Sequence, residues 1–508
     1  MNKSIYLAID NVSLPYTNRV FITISEPDVR KEPVLRPSPR GSGAPDDQAA
    51  HFYGTVLFDD GKYRMWYYAC YGGKNYDLSP RMAQQVALEM PFYCGDVELF
   101  QGPLCYAESD DGIDWVKPAI NQFLFKGSTA NNALDLPHAV VSGATVIKDP
   151  EDPDPARRYK MVYQYFPDFT DPKLPEDGKI TTVAMAVSHD GLKWTVIAQP
   201  FLDQFVEHSS FIKHDGRYIV HYHSMAYWGL LANGGVPAGR TGLARLSNDF
   251  DNWPDVRAES FALPEPQGED EPKGVSSAYD QVHLGVGAAS FGNVCVGLYG
   301  MWHNADFSEF QKISGDFGLL ISNDGIHFRE PVKGYKFIKK EQSACDPVPG
   351  YAFHTILCQA NGIVNVGDQT RIYHGRWRNA AQDEVGEYYT ADVALATLPR
   401  DRWGCLSVMP GEKKGTVISC LTPVSGNESI SVNADGLAGI EVSLLDGDFH
   451  PIEGYCGARP AGTDSLEAAV SFAEPLSALE GKNVYIRAEL TPSEGVDPKL
   501  YAIYLKEK

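Results

Sequence analysis

The chain has 508 residues, of which 43% are hydrophobic and 22% are charged, as in an ordinary folded protein with a large core. Its formal net charge of −22 argues against nucleic acid or an anionic membrane surface as a partner, because both bind basic faces. The 27 Tyr, 23 Phe and 8 Trp residues, with 47 Gly and 34 Pro, favour many short strands joined by turns over a helical bundle.

The cysteines and the N-terminus bear on compartment. No CxxC pair occurs among the nine cysteines, so we expect buried reduced thiols and neither a zinc site nor a disulfide framework. The segment MNKSIYLAIDNVSLPYT lacks the apolar core of a signal peptide, and no stretch of about 18 apolar residues occurs. We expect a cytoplasmic protein, or a periplasmic one if a leader has been removed.

Along the chain, residues 1–45 contain one predicted strand, RVFITIS, and then the stretch PVLRPSPRGSGAPDD. Proline and glycine interrupt regular structure, so we interpret this stretch as an ordered wrap that leads into the next region. Residues 1–45 are therefore predicted to be a strand and a wrap, not a domain.

A motif of the form Ser-x-Asp-Gly-x-x-aromatic then recurs. It occurs as SDDGIDW (109–115), SHDGLKW (188–194) and SNDGIHF (322–328), and SNDFDNW (247–253) is a copy without the glycine. A weaker fifth copy, YYTADVALATLPRDRW (388–403), keeps the strand and the aromatic but has no Asp-Gly pair. Each Asp-Gly pair predicts a tight turn after a strand, because glycine accepts a positive φ.

A second unit, a strand with Tyr near its start, recurs with the first, as in YRMWYYA (63–69) and YKMVYQY (159–165). Four antiparallel strands per unit, repeated radially, describe a β-propeller. The predicted fold is all-β: a five-bladed β-propeller over 46–410, followed by a C-terminal β-sandwich over 411–508. The alternative is a generic β-sandwich whose Asp-Gly turns coincide by chance.

Polar residues gather where the chain approaches the innermost strand of each unit. They are Asp46, Asp47 and His51, then Asp135 and His138, Glu207 and His208, Asp280, Gln281 and His283, and finally His354. Burying such groups near the propeller axis is expensive. Convergent carboxylates suit glycoside chemistry, in which one acid protonates the leaving oxygen and another carboxylate attacks the anomeric carbon or activates water. Taken singly, each is equally consistent with a polar group at a turn.

This repeat architecture resembles the five-bladed propeller glycosidases: the invertase–inulinase–levanase and arabinanase–xylosidase families, and uncharacterised bacterial proteins similar to invertases. In the invertase-like enzymes a Glu-Cys motif on blade three supplies the general acid/base. Glu207 precedes Tyr218 by eleven residues and Gly216 lies two before it, so VEHSSFIKHDGRY resembles that motif with His208 in place of Cys. The resemblance implies that Glu207 is the general acid/base.

Two other patterns of that family are missing. The N-D-P-N-G pattern on blade one has no match, because its register falls near His51. We expect Asp47 to act as nucleophile or base, with Asp46 beside it. The Arg-Asp-Pro pattern on blade two is absent as well, and Asp280 or Asp135 is expected to take the third carboxylate's role.

The predicted function is a glycoside hydrolase that cleaves a short oligosaccharide, with a furanoside of fructan or arabinan type favoured. Its catalytic residues are Glu207, Asp47 and Asp280. The predicted substrate contacts are Asp46, His51, Asp135, His138, His208, Gln281, His283, His354, Trp228 and Trp302. No cofactor is expected. The sequence does not decide whether the protein binds a structural calcium ion or forms a homo-oligomer. The acidic run DPEDPDP (149–155) lacks EF-hand spacing, and we interpret it as a solvated loop.

Two alternatives remain. A non-catalytic carbohydrate-binding propeller is favoured by the two missing patterns. A propeller phosphorylase or transglycosidase would need a basic cluster near the axis, for which the candidates are Arg240, Arg245, Arg376 and Arg378. The sugar, the linkage and the stereochemical course stay open, because the separation of the carboxylates determines the last of these.

Overall fold

The structure is a computed structural model. It describes residues 3–72, 92–94, 97–138, 141–165, 182–197, 206–224, 242–254, 256–261, 281–303, 312–378, 388–462 and 465–507.

Thirty-two strands form the described fold, and the first four precede the repeats. These are β1 (Lys3–Leu7), β2 (Tyr16–Asn18), β3 (Val20–Ile24) and β4 (Asp28–Val29). The sequence predicts only one strand in this segment. The difference arises because short strands need partners that are distant in the chain: β1 pairs with the last strand and β4 with the last repeat.

The repeats form five antiparallel blades. Blade one contains β5 (Ala49–Asp59), β6 (Lys62–Gly72), β7 (Phe92–Cys94) and β8 (Val97–Ser109), and blade two contains β9 (Val141–Lys148), β10 (Tyr159–Tyr165), β11 (Thr182–Ser188) and β12 (Thr195–Val196). Blade three contains β13 (Val206–His214), β14 (Arg217–Ser224), β15 (Gly242–Ser247) and β16 (Arg257–Phe261). Blade four contains β17 (Gln281–Ser290), β18 (Cys295–His303), β19 (Ser314–Ser322) and β20 (Lys336–Ile338), and blade five contains β21 (Ile356–Cys358), β22 (Ile363–Val366), β23 (Gln369–Arg378) and β24 (Thr390–Pro399).

The remaining strands follow blade five. They are β25 (Gly404–Val408), β26 (Gly415–Ile418), β27 (Thr422–Pro423), β28 (Glu428–Asp435), β29 (Ile440–Leu445), β30 (Ser465–Val470), β31 (Asn483–Leu490) and β32 (Lys499–Glu507). Short 3-10 helices span Pro155–Arg157, Leu437–Gly439 and Leu476–Leu479. Within the described ranges no helix is long and apolar enough to cross a membrane.

The blades close into a ring. The inner strands β5, β9, β13, β17 and β22 contact one another in turn, and β22 contacts β5 again. Hydrophobic clusters fill the spaces between blades, as where Trp66 of blade one packs with Met161 of blade two. The predicted five-bladed propeller is therefore confirmed.

The outermost strand of blade five comes from the other end of the chain. β4 pairs with β24 through Val29 opposite Ala396 and Asp28 opposite Thr397. After β24 the chain continues into β25 and not into another strand of the blade. Because the N-terminal segment supplies the outermost strand of blade five, the chain makes no turn back after β24. The fifth copy of the repeat therefore has no Asp-Gly turn.

The C-terminal strands build a sandwich of two sheets together with β1, β2 and β3. One sheet has the order β3-β25-β32-β28-β30 with β1 also on β32, and the other has the order β2-β26-β31-β27 with β29 also on β31. Tyr6, Leu14 and Val20 lie in the same core as Val432 and Ile486. The sandwich therefore contains both ends of the chain.

Candidate active site

The centre of the propeller is plugged by Asn361, which lies between β21 and β22. Its main chain bonds that of β5, donating to Gly54 O and accepting from Val56 N at 3.0 Å each. Its side chain reaches across to β13, where Nδ2 donates to Phe211 O at 2.6 Å and Oδ1 accepts from Phe211 N at 3.1 Å. The axis is a packed core at this level, and the site residues lie on the side where the inner strands begin.

Above this plug lies a set of side chains that we call the axial cluster. It consists of His51, Tyr53, Tyr68, Glu207, His223, His283, Trp302, Cys358, Trp377 and Tyr389.

Ring stacking and hydrogen bonds hold the cluster together. The rings of His51 and Tyr68 are stacked with centroids 4.7 Å apart, and His51 Nε2 lies 2.7 Å from the Tyr389 hydroxyl. The Tyr53 hydroxyl lies 3.0 Å from Cys358 Sγ and 3.5 Å from His283 Nε2. Aromatic walls with a few polar tips are typical of small-molecule sites.

Glu207 supplies the carboxylate of the cluster. It lies on β13 directly opposite His223 on β14, and Glu207 Oε2 is 2.9 Å from His223 Nε2. The Glu207 side chain is 35% exposed, whereas that of His223 is fully buried. A buried imidazole therefore contacts a carboxylate that is partly exposed, as a positioned proton donor or acceptor requires.

Burial shapes the charges around this carboxylate. Burial raises the pKa of Tyr53 and of Tyr68 well above the usual range, and the charge of Glu207 adds to both shifts. Burial also lowers the pKa of His51 to about 3, so this imidazole is neutral at pH 7. At pH 7 His51 therefore supplies no positive charge to the axial cluster.

Asp46 and Asp47 are buried in contacts of a different kind. Asp46 is bonded by Lys117 Nζ at 2.5 Å and by the Tyr67 hydroxyl at 2.9 Å. Asp47 lies 3.4 Å from Lys126 Nζ and accepts the main-chain N–H of Gly72. Such pairing is typical of structural carboxylates, and the catalytic role of Asp47 stays a prediction.

The other predicted contacts are dispersed. His138 lies 2.7 Å from the Tyr163 hydroxyl on blade two, and Asp135 is exposed nearby. His208 is buried, and burial lowers its pKa to about 3. His354 is exposed on the segment before β21. Of all the catalytic and substrate-contact residues predicted from the sequence, four lie in the axial cluster: His51, Glu207, His283 and Trp302.

Some predicted residues lie outside the described part of the chain. These are Asp280, Trp228, Arg240 and the side chain of Gln281.

Two of the arginines considered for a phosphorylase are buried in the blades. Arg376 is buried against Asp392, and Arg245 is buried on β15. In the described ranges no group of three or more His, Cys, Asp and Glu side chains is arranged to hold a metal ion.

Four members of the cluster are not predicted from the sequence: Tyr68, His223, Cys358 and Tyr389. The pattern YIVHYHS (218–224) alternates apolar and polar residues and so marks His223 as facing one side of its strand. It does not show which residue lies opposite, because that depends on strand register.

No family model matches the chain, and no curated protein matches it. Among solved structures, the chain is similar to a β-1,2-mannobiose phosphorylase from Listeria innocua, with 13% identity over 75% of this chain and 97% of that one and a TM-score of 0.41. It is also similar to a GH43 β-xylosidase/α-arabinofuranosidase from a compost microbial metagenome, with 10% identity over 74% and 95% of the two chains and a TM-score of 0.42. A third similar structure is the catalytic domain of a GH62 α-L-arabinofuranosidase from Coprinopsis cinerea, with 10% identity over 74% and 97% and a TM-score of 0.39.

Proposed function

We propose that this protein is a carbohydrate-active enzyme that cleaves glycosidic bonds at the axial cluster, with Glu207 as the general acid/base. The observation that carries the proposal is the partly exposed Glu207 carboxylate held by the buried His223 beside stacked aromatic rings. A short oligosaccharide of furanoside type remains the favoured substrate. It would enter from the side of the propeller that Asn361 does not close.

The chemistry follows from this arrangement. Protonated Glu207 gives its proton to the glycosidic oxygen as the bond from that oxygen to the anomeric carbon breaks. The ionised Glu207 then removes a proton from the incoming water or alcohol. Aromatic rings of the cluster, such as half-buried Trp377, offer apolar faces to the sugar. Asp47 remains the proposed nucleophile, which bonds to the anomeric carbon as the leaving oxygen departs, or else the base that activates water. Asp280 or Asp135 remains the proposed third carboxylate, which tunes pKa values or binds sugar hydroxyls.

The test uses a panel of aryl furanosides and pyranosides. Glu207→Gln is expected to lower kcat/KM by about 100-fold or more on substrates with poor leaving groups, since these need protonation. The loss should be much smaller on dinitrophenyl glycosides, whose leaving group departs without a proton. Glu151→Gln is the matched control, because the Glu151 side chain is 76% exposed.

The other readings give different outcomes in the same assay. Ligand-induced thermal stabilisation without product release would support a carbohydrate-binding propeller and overturn catalysis. Turnover that requires inorganic phosphate would identify a phosphorylase that uses the same acid. Unchanged activity of Glu207→Gln on every substrate would refute the role of Glu207.

A further inference from the structure

A cavity lies beside the axial cluster, between the N-terminal segment and blade five. Its volume is about 340 Å³. Its lining includes Arg36, Arg40, Asp346, Arg378, Thr390 and Asp392, and we call it the arginine pocket.

The pocket has an excess of positive charge in a strongly acidic chain. Its lining carries three guanidinium groups and two carboxylates, whereas the chain as a whole has a net charge of −22. Concentrating cations in such a chain is expected where an anion binds.

Both carboxylates of the pocket have an arginine partner other than Arg378. Asp346 is paired with Arg36 at 2.7 Å, and Asp392 is held by two hydrogen bonds from Arg376. Neither carboxylate is therefore committed to the Arg378 guanidinium.

Arg378 itself is nearly buried, at 8% exposed. Its Nη1 donates to Tyr388 O at 3.1 Å and its Nη2 to Asp346 O at 2.6 Å, and both acceptors are neutral carbonyl oxygens. These bonds fix the plane of the guanidinium, and the nearby Asp346 carboxylate, whose pKa Arg36 and then Arg378 help to lower, offsets part of its charge. A guanidinium fixed in this way is preorganised for an oxyanion, which it contacts through a fork of N–H groups.

We propose that the arginine pocket binds an oxyanion: phosphate, sulfate or the carboxylate of an acidic sugar. Arg378 and Arg40 would supply N–H donors and Thr390 a hydroxyl. The pocket is separate from the axial cluster but adjoins it through Tyr389. The carbonyl of Tyr389 accepts from Arg40 Nη2 at 3.2 Å, whereas its hydroxyl faces His51. The proposal does not depend on Glu207.

The test is isothermal titration calorimetry of the full chain with sodium phosphate, sodium sulfate and sodium glucuronate. Ionic strength is held constant with chloride, because screening would otherwise imitate a specific effect. We expect saturable binding of at least one of these anions and a loss of affinity of about tenfold or more in Arg378→Gln and in Arg40→Gln. Arg40 is exposed, so Arg40→Gln tests the site even if Arg378→Gln fails to fold.

Arg459→Gln is the matched control and should bind as the wild type does, since Arg459 is exposed in the sandwich and pairs with Glu441. Binding of glucuronate alone would identify an acidic sugar as the ligand, and binding of phosphate or sulfate would identify an inorganic or esterified anion. No saturable binding of any of the three, or equal affinity in the Arg40 variant, would overturn the proposal.

Discussion

At the scale of single residues, the position of Glu207 depends on a β-bulge. The hairpin of β13 and β14 pairs His214 with Arg217, and continuing that register would place Ser224 opposite Glu207. A register shift between His208 and Ser210 instead brings His223 opposite Glu207. Bulges re-aim side chains in this way and are frequent next to active sites.

We expect His223 to act as a positioning residue for the Glu207 carboxylate, which its imidazole contacts at 2.9 Å. His223→Ala is expected to lower kcat on the aryl glycosides and to move the basic limb of the pH profile to higher pH. The reason is that an N–H donor stabilises an ionised carboxylate, so its loss favours the protonated acid.

His223→Gln retains an N–H donor at this position and should restore part of the activity. A purely structural role would instead lower stability without a change in the shape of the pH profile. Thermal unfolding of both variants, measured beside the kinetics, separates the two cases.

Asp149 shows how a residue in an acidic run can be structural. The run 149–155 was interpreted as a solvated loop, but Asp149 is 1% exposed. Its carboxylate lies 2.9 Å from Lys160 Nζ and 2.8 Å from Lys213 Nζ. Burial alone would raise the pKa of Asp149, but hydrogen bonds from Lys213, Tyr218 and Lys160 outweigh it and lower the pKa to about 2. The interpretation was wrong for this residue because neighbouring strands supply its cations.

We expect the stabilisation from Asp149 to be complete above about pH 4, the pKa of an unfolded aspartate, and to be lost as the pH falls towards 2. Asp149→Asn should remove this part of the pH dependence. It should also cost about 1–3 kcal/mol at pH 7, because buried Lys160 loses one of its two carboxylate partners and keeps Asp152 at 2.8 Å.

Urea unfolding between pH 7 and pH 2 measures both effects. Asp110→Asn is the matched control and should change stability by less than about 0.5 kcal/mol, since its side chain is 89% exposed. A flat difference between wild type and Asp149→Asn across this range would contradict the linkage.

At the scale of elements, the repeated Asp-Gly turn has a role beyond reversing the chain. In blade one, Gly112 N donates to Ser109 Oγ at 2.9 Å, and Asp111 Oδ1 accepts from Ile113 N and Asp114 N at 2.8 Å each. Gly112 has a φ of 75°, as the sequence predicts for this position.

The glycine carbonyl of each of these turns is also bound by the preceding blade. The contacts are Tyr373 Oη to Gly112 O at 2.9 Å, Trp66 Nε1 to Gly191 O at 2.9 Å, and His221 Nε2 to Gly325 O at 2.7 Å. Trp66 and His221 lie on the second strand of their blades, and Tyr373 lies on β23, the strand that pairs with the inner strand β22 of blade five. The repeat is therefore a docking element between blades, which explains why its glycine recurs.

Gly112→Ala and Gly61→Ala test this role. Both glycines have positive φ, but a Cβ at Gly112 would lie 2.3 Å from the Tyr373 hydroxyl, whereas a Cβ at Gly61 meets nothing within 4 Å. Gly61→Ala should cost about 1–2 kcal/mol from backbone strain alone. Gly112→Ala should cost about 1–3 kcal/mol more, from the clash at the interface between blades.

Chemical denaturation of the two variants gives this difference directly. Equal destabilisation would mean that the turn acts only through its backbone conformation and would remove the docking role.

At the scale of the whole molecule, the two ends of the chain complete both parts of the fold. β4 completes blade five, and β1, β2 and β3 join the two sheets of the sandwich. β4 adds the outermost strand of blade five, whereas the ring itself closes through the contact of β22 with β5.

A fragment of residues 411–508 is therefore expected not to unfold cooperatively. It lacks Tyr6, Leu14 and Val20 of the sandwich core, and it leaves the edge of β32 that pairs with β1 unpaired. Linking residues 1–25 to residues 404–508 should restore a cooperative transition. Thermal circular dichroism of the two fragments makes the comparison, and a cooperative transition in 411–508 alone would contradict it.

The sequence alone determined the fold class, because the Asp-Gly turns and the Tyr-led strands are local signals with a local physical cause. The resemblance of VEHSSFIKHDGRY to the invertase-like motif also pointed to Glu207. Only the tertiary structure decided which residues meet it. The bulge places His223 opposite Glu207. Asp46 and Asp47 form ion pairs with Lys117 and Lys126, respectively. A strand from the N-terminal segment, β4, pairs with β24 in blade five. These outcomes depend on pairing between residues far apart in the chain, which no local pattern encodes.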